Sequence, residues 1–157
     1  MSSQSSSPET CRSAEVRPSA EGAPVVLHCS DPRFQPHFQD FLRTSLQLDH
    51  YALVAVPGGP QLLTLLEFLP KFAWVGWRWM KFMVDLTRAE HVILIVHDDC
   101  RWYQQRLFGY DPARIHERMI DDARRVRASL IERFGQRRIE IYHARLSGSR
   151  AIFDPVS

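Results

Sequence analysis

Cysteine is scarce in this sequence, with three residues among 157, and glycine is little commoner, with seven. An odd, small cysteine count with no secretory signal ahead of it argues against a disulfide framework and for a reducing, cytoplasmic setting. Net charge is nearly absent too: the formal value of +2 exerts no general pull on nucleic acid or on a membrane surface, so neither is expected as a partner. No uncharged run reaches membrane length. The most apolar tract, residues 62–86, is broken by Pro70, Lys71, Arg78 and Lys81, which excludes a spanning helix. There is no phosphate-cradling loop, no dinucleotide fingerprint, no nucleophile elbow and no internal repeat. Residues 1–23 are Ser-rich and lack the apolar stretch of an export signal. They hold too little apolar surface to fold alone and are expected to form a disordered tail, with Cys11 an incidental thiol in it.

Residues 24–157 are expected to form one domain. Hydrophobic content of 45% and charged content of 24% are ordinary for a globular chain of this length. Four apolar runs read as strands: PVVLHC (24–29), YALVAV (51–56), HVILIV (91–96) and RIEIYHA (138–144). Between the first two, Phe38, Phe41, Leu42, Ser45 and Leu46 recur at helical spacing. The long apolar tract fills the second gap. Residues 112–134 fill the third, with Ile115, Met119, Ala123, Val126 and Leu130 along one face, Asp111 as N-cap, Pro112 at the first position and Gly135 as the stop. This alternation predicts an α/β three-layer sandwich, with a central, mostly parallel sheet of about four strands and helices on both faces. The fourth run alternates Ile139, Glu140, Ile141 and Tyr142, the pattern of an edge strand.

Phe72, Trp74, Trp77 and Trp79 put four large aromatics into eight residues of one helix-forming tract. A core helix would absorb them; so would a subunit interface or a wall beside a site. Part of this tract is expected to meet another subunit.

In open parallel sheets, ligands sit beyond the carboxyl ends of the strands. The first run ends in CSDPRF and the third in VHDDC, so Cys29, His97 and Cys100 are brought to one sheet edge. Two thiolates and an imidazole form a zinc set, and three protein ligands with one open position is the catalytic pattern. In an extended segment Cys29, Asp31 and Arg33 fall on alternate positions and so on one side. Asp31 and Arg33 then suit a carboxylate–guanidinium pair beside the metal or a structural ion pair.

With those residues in view, CSDPRF followed by ILIVHDDC resembles the β-class carbonic anhydrase family, whose signatures are C-x-D-x-R after one strand and H-x-x-C after another. The match covers roughly residues 24–110 and rests on Cys29, Asp31, Arg33, His97 and Cys100. The resemblance implies zinc on Cys29, His97 and Cys100. It further implies an Asp31–Arg33 dyad, in which Asp31 accepts a hydrogen bond from water on the metal or, in a closed state, takes the fourth metal position. It implies a zinc lyase acting on carbon dioxide and bicarbonate, and a homodimer or higher homo-oligomer. Relatives of this kind that hydrolyse carbonyl sulfide or carbon disulfide, or that hold zinc without catalysis, remain alternatives.

Several positions depart from the family pattern. Val96 and Arg101 stand where glycines flank the histidine and the second cysteine, VPGGP replaces an Asn-bearing loop, and the Ser-rich tail stands where pairing helices usually lie. Arg101 either binds an anion in the pocket or blocks it. His28, His37, His91, His116 and His143 read as core or surface residues, with His28 also a candidate to line the site. Asp98 and Asp99 read as acceptors beside the ligands or as the N-cap of a following helix. Residues 112–134 are expected to carry Arg118–Asp122 and Asp121–Arg125 pairs on a solvated face.

Overall fold

The computed structural model describes residues 13–65 and 68–157. Five strands form one sheet in the order β2-β1-β3-β4-β5. They are β1 Val25–Cys29, β2 Ala52–Val56, β3 His91–His97, β4 Arg138–Ser147 and β5 Arg150–Val156. The first four pair in parallel and β5 returns antiparallel to β4. Every residue of β1 is buried, as is every residue of β3 after the first, which is why these strands read as unbroken apolar runs.

Side chains alternate between two cores, as the pleat requires. Val25, Leu27, Val92, Leu94, Val96 and Ile141 face one layer, built from Met80 and Val84 of α2 (Pro70–Thr87) and from Met119, Ala123, Val126 and Leu130 of α3 (Ile115–Phe134). Val26, Ile93, Ile95 and Ala144 face the other, built from Phe34, Phe38, Phe41 and Leu42. Phe38 lies in α1 (Gln35–Asp40), which widens into a π-helical turn at Phe41–Ser45. The three-layer α/β sandwich is thus present. Asp111 caps as expected, accepting from the Ala113 N–H at 3.0 Å ahead of α3.

The sheet departs from expectation at its far side. β4 is interior, and the edge is β5, joined to it by a two-residue hairpin at Gly148 (φ 60°) and Ser149. Pro155 lies in β5, where the free side of an edge strand tolerates a missing N–H donor. The Ile139–Tyr142 alternation therefore reflects cover by β5 and one packed face, and does not mark an edge.

The apolar tract of residues 62–86 divides into a 3-10 turn, Gly59–Thr64, and α2. Ala73, Gly76, Met80, Val84 and Thr87 are its buried stripe. A methyl group on Gly76 would stand 2.7 Å from Leu62 Cγ, so glycine lets α2 close on the 3-10 turn. Phe72, Trp79, Phe82 and Leu86 are exposed by about half, and Val75 is half-buried. Residues 72, 75, 79, 82 and 86 recur at alternating steps of three and four, which is the seam spacing of paired helices. Among the described residues no helix is long and apolar enough to cross a membrane.

Of the segment expected as a tail, residues 1–12, with Cys11, lie outside the described residues. Residues 13–23 run without helix or strand, held where Arg17 pairs with Asp49, Glu21 pairs with Arg88, and Gly22 N–H donates to Thr87 O.

Candidate metal centre

β1 and β3 are neighbours in register, with His28 opposite Ile95, so their carboxyl ends emerge side by side. At the end of β1 the Ser30 N–H donates to Val56 O, and Asp31 Oδ1 accepts from the Arg33 N–H at 3.0 Å. This Asx-type turn swings the Arg33 side chain back over Asp31. After β2, Gly58 and Gly59 both have positive φ, 76° and 54°. A methyl group on Gly59 would lie 2.8 Å from Cys29 N and 2.9 Å from His28 C. The glycine pair is required here for a left-handed turn pressed against the backbone that carries Cys29.

Cys29, His97 and Cys100 are all buried, at 5%, 1% and 2% exposure, and their ligand atoms lie within 4.8 Å of one another. The two thiol sulfurs are 3.8 Å apart, and neither is in a disulfide. Zinc–sulfur bonds of about 2.3 Å at tetrahedral angles give a sulfur–sulfur edge of about 3.8 Å. The cysteines already stand at that edge. His97 Nδ1 lies 2.8 Å from Asp98 O; a carbonyl only accepts, so Nδ1 carries the proton and Nε2 holds the lone pair. That buried Nε2 has no hydrogen-bond partner among the described residues, an arrangement that costs free energy unless something takes the lone pair. A histidine held in this tautomer by a carbonyl is the usual posture of a metal ligand. The donor set therefore fits a zinc ion.

Without a metal, the two thiols share a proton unequally. A hydrogen bond from the Cys100 thiol holds Cys29 below the ordinary thiol range, while the same contact, together with burial, pushes Cys100 up. The contact favours the thiolate at Cys29 over Cys100.

Asp31 and Arg33 form a tight pair. Arg33 Nη2 donates to Asp31 Oδ2 at 2.7 Å and Nε donates to Oδ1 at 3.1 Å. The guanidinium holds the Asp31 carboxyl below its usual range. Arg33 is anchored in turn by Asp99, through Nη1 to Oδ2 at 2.8 Å and Nη2 to the backbone oxygen at 2.9 Å. Asp99 adopts φ 52°, a left-handed conformation that aspartate tolerates better than most residues. No helix follows β3 directly; residues 98–104 form turns, so Asp98 and Asp99 cap nothing and act as acceptors. Arg101 is exposed, near Asp99 at 3.6 Å, with Nη1 donating to Gln104 Oε1.

Other expected residues distribute differently. His28 is buried against Phe38, its Nδ1 2.8 Å from Cys29 O, and burial lowers its pKa. Phe34 covers one face of His97, with ring centroids 4.2 Å apart. On α3 the Arg118–Asp122 pair forms, but Asp122 is fully buried and also accepts from the Tyr103 hydroxyl, so it belongs to the core. Asp121 pairs with Arg124 at 3.6 Å. The Arg33–Asp99 link escaped sequence reasoning, as did a second cluster in which His143 Nε2 lies 2.8 Å from Asp98 Oδ1 with His116 alongside.

No protein-family model and no curated protein matches this chain. Solved structures do. A carbonic anhydrase from Glaciozyma antarctica superposes with a TM-score of 0.51 at 14% identity, over 85% of this chain and 82% of that one. The β-carbonic anhydrase isoform I of Trichomonas vaginalis superposes with a TM-score of 0.50 at 11% identity, over 90% and 87%. At such identities the likeness is one of fold: a divergent β-carbonic-anhydrase-like sandwich carrying a Cys-His-Cys cluster that could hold a metal.

Proposed function

We propose that this chain is a zinc-dependent lyase that reversibly hydrates carbon dioxide to bicarbonate. The observation that carries this reading is the trio of buried donors, Cys29, His97 and Cys100, with the sulfurs at the edge length of a zinc tetrahedron and the His97 Nε2 lone pair unclaimed. Zinc held there supplies a Lewis acid that makes water a nucleophile near neutral pH.

The chain's own residues do the rest. Cys29, His97 and Cys100 account for three positions of a tetrahedral site and leave one for chemistry. Asp31 is the acceptor that orients the attacking water through a hydrogen bond from its O–H. Arg33 grips both Asp31 oxygens, which keeps the carboxylate ionised and would hold it off a metal bound by the three donors. Asp31 and Arg33 are thus the proposed catalytic pair, and a closed state is one in which Asp31 leaves Arg33 for the metal. Phe34, packed on His97, excludes water from the imidazole. Two free thiols 3.8 Å apart support a reducing, cytoplasmic setting. The exposed seam of α2 supports assembly as a homodimer or larger homo-oligomer.

Stopped-flow hydration of carbon dioxide by the zinc-loaded protein tests the reading. Turnover above buffer is expected between about pH 7 and 9. Full zinc occupancy with no hydration there would leave a non-catalytic zinc module, a role the near-complete burial of all three donors would also suit. Sulfide release from carbonyl sulfide or carbon disulfide in its place would assign the same centre to that hydrolysis.

A further inference from the structure

Past the end of β3 a second group of donors stands that the proposed reaction does not use. Asp98 follows β3, His116 lies in the first turn of α3 and His143 lies in β4. Their ligand atoms all fall within 4.8 Å of one another. Asp98 Oδ1 is 2.8 Å from His143 Nε2 and 3.9 Å from His116 Nδ1, and the two imidazoles meet edge-on at 4.6 Å between centroids. Donors bound at about 2.1 Å to a common ion lie about 3.0 Å apart in an octahedron and about 3.4 Å apart in a tetrahedron. The two separations from Asp98 bracket those edges, and the third, between the imidazoles, lies within 4.8 Å, so modest side-chain shifts would bring the set onto one ion.

The carboxylate is positioned independently of the imidazoles. Its Oδ2 accepts from the Leu146 N–H at 3.0 Å, and its backbone N–H donates to Ala144 O at 3.0 Å. Oδ1 is thereby presented to both rings with the rest of the residue fixed, the outer-sphere support that metal-binding carboxylates carry. Among the described residues the ion-pair partners of Asp98 are these two imidazoles, with no Arg or Lys within salt-bridge distance. Arg145, the nearest cation to act on it, is itself paired with Asp154.

Access is graded. The His143 side chain is 9% exposed, Asp98 30% and His116 61%. A cavity of about 380 Å³, lined by Asp98, His116, Gln104 and Met119, opens beside the carboxylate.

We infer that Asp98, His116 and His143 form a second, facultative binding site for a divalent first-row transition ion, distinct from the thiolate centre. Two imidazoles favour zinc, cobalt or nickel over magnesium and calcium, which seek oxygen cages. An ion there would tie the start of α3 and the middle of β4 to the turn that follows His97.

Cobalt titration of the metal-free full chain separates the two sites, because sulfur ligands give an intense thiolate-to-metal absorption and an N₂O set gives only weak visible bands. Wild type is expected to bind two equivalents, one with the thiolate band and one without it. His116→Ala, at an exposed position, should weaken the second equivalent roughly tenfold or more with the thiolate band unchanged. His143→Ala should do the same, and Cys100→Ala should lose the thiolate band yet keep the second equivalent. A single equivalent in wild type, or a second equivalent bound equally well by His116→Ala, overturns the inference. Loss of the thiolate band alone would count against the proposed lyase centre and leave this site standing.

Discussion

Arg33 donates to Asp31 with one part of its guanidinium and to Asp99, 66 residues further along the chain, with another. The Asp31 carboxylate is therefore set by a residue from the H-x-x-C turn as much as by its own loop. Asp99→Asn should weaken that hold without removing a donor from the metal. Zinc content is expected to stay near one per chain at the thiolate centre while carbon dioxide hydration falls about tenfold. Arg33→Ala should cost about a hundredfold, with zinc again retained. Parallel metal analysis and stopped-flow rates check both; loss of zinc in step with activity would make Arg33 and Asp99 structural residues.

Gly59 fixes Cys29 from behind. Gly59→Ala would place a methyl 2.8 Å from Cys29 N at φ 54°. The left-handed conformation alone costs about 1–2 kcal/mol for a non-glycine residue. The backbone clash adds to it. The variant should melt several degrees lower and bind zinc more weakly, because relief of the clash moves Cys29. Unchanged zinc affinity alongside a lowered melting point would confine Gly59 to stability.

The thiol pair predicts a characteristic pH profile for the metal-free protein. Cys29 ionises below the ordinary thiol range, lowered first by the hydrogen bond from Cys100, whose own value is raised. Unfolded thiols ionise near 8.5. Between the lowered Cys29 value and about pH 8.5 the unfolded chain holds one more proton than the folded one, so this pair adds stability as pH rises. Above about 8.5 the unfolded chain releases both protons while folded Cys100 keeps its own, so stability falls. Melting curves of wild type minus those of the Cys29→Ala, Cys100→Ala double variant should peak near pH 8.5. A flat difference would mean that both thiols stay protonated.

The outward stripe of α2 predicts self-association. Phe72, Val75, Trp79, Phe82 and Leu86 lie along one line of the helix on the side away from Ala73, Met80 and Val84. Phe82→Glu puts a charge in the middle of that line and touches none of the buried stripe. Light scattering should give a dimer or larger assembly for wild type and a smaller mass for Phe82→Glu at the same concentration, with an unaltered circular dichroism spectrum. A wild-type monomer at micromolar concentration would remove the interface.

The parts of this molecule legible in its sequence are those written in local periodicity. β1 and β3 announce themselves as apolar runs because both faces are covered, and α3 announces itself by its cap and its stripe. β5 went unseen because Arg150, Asp154 and Pro155 break the apolar pattern of a strand that needs cover on one side only. The short Gly148–Ser149 turn was the available signal. Cys29, His97 and Cys100 could be nominated from two short motifs at strand ends. The Arg33–Asp99 bond could not, since it depends on a left-handed residue in a turn. Nor could the approach of His116 to His143, since those residues sit on different elements and share no spacing; only the fold makes them neighbours.

The alignment of β1 with β3, in which His28 stands beside Ile95, has a consequence for how the molecule can err. Successive residues of a strand face opposite ways and advance by about 3.3 Å. A slip of one residue between these two strands would carry Cys29 away from His97 by about 3.3 Å, more than a metal–ligand bond length, and turn its neighbours inside out. Metal retention is therefore a gauge of correct threading. A chain that captured an ion at this centre would, by that act, certify that its two central strands were laid down in step.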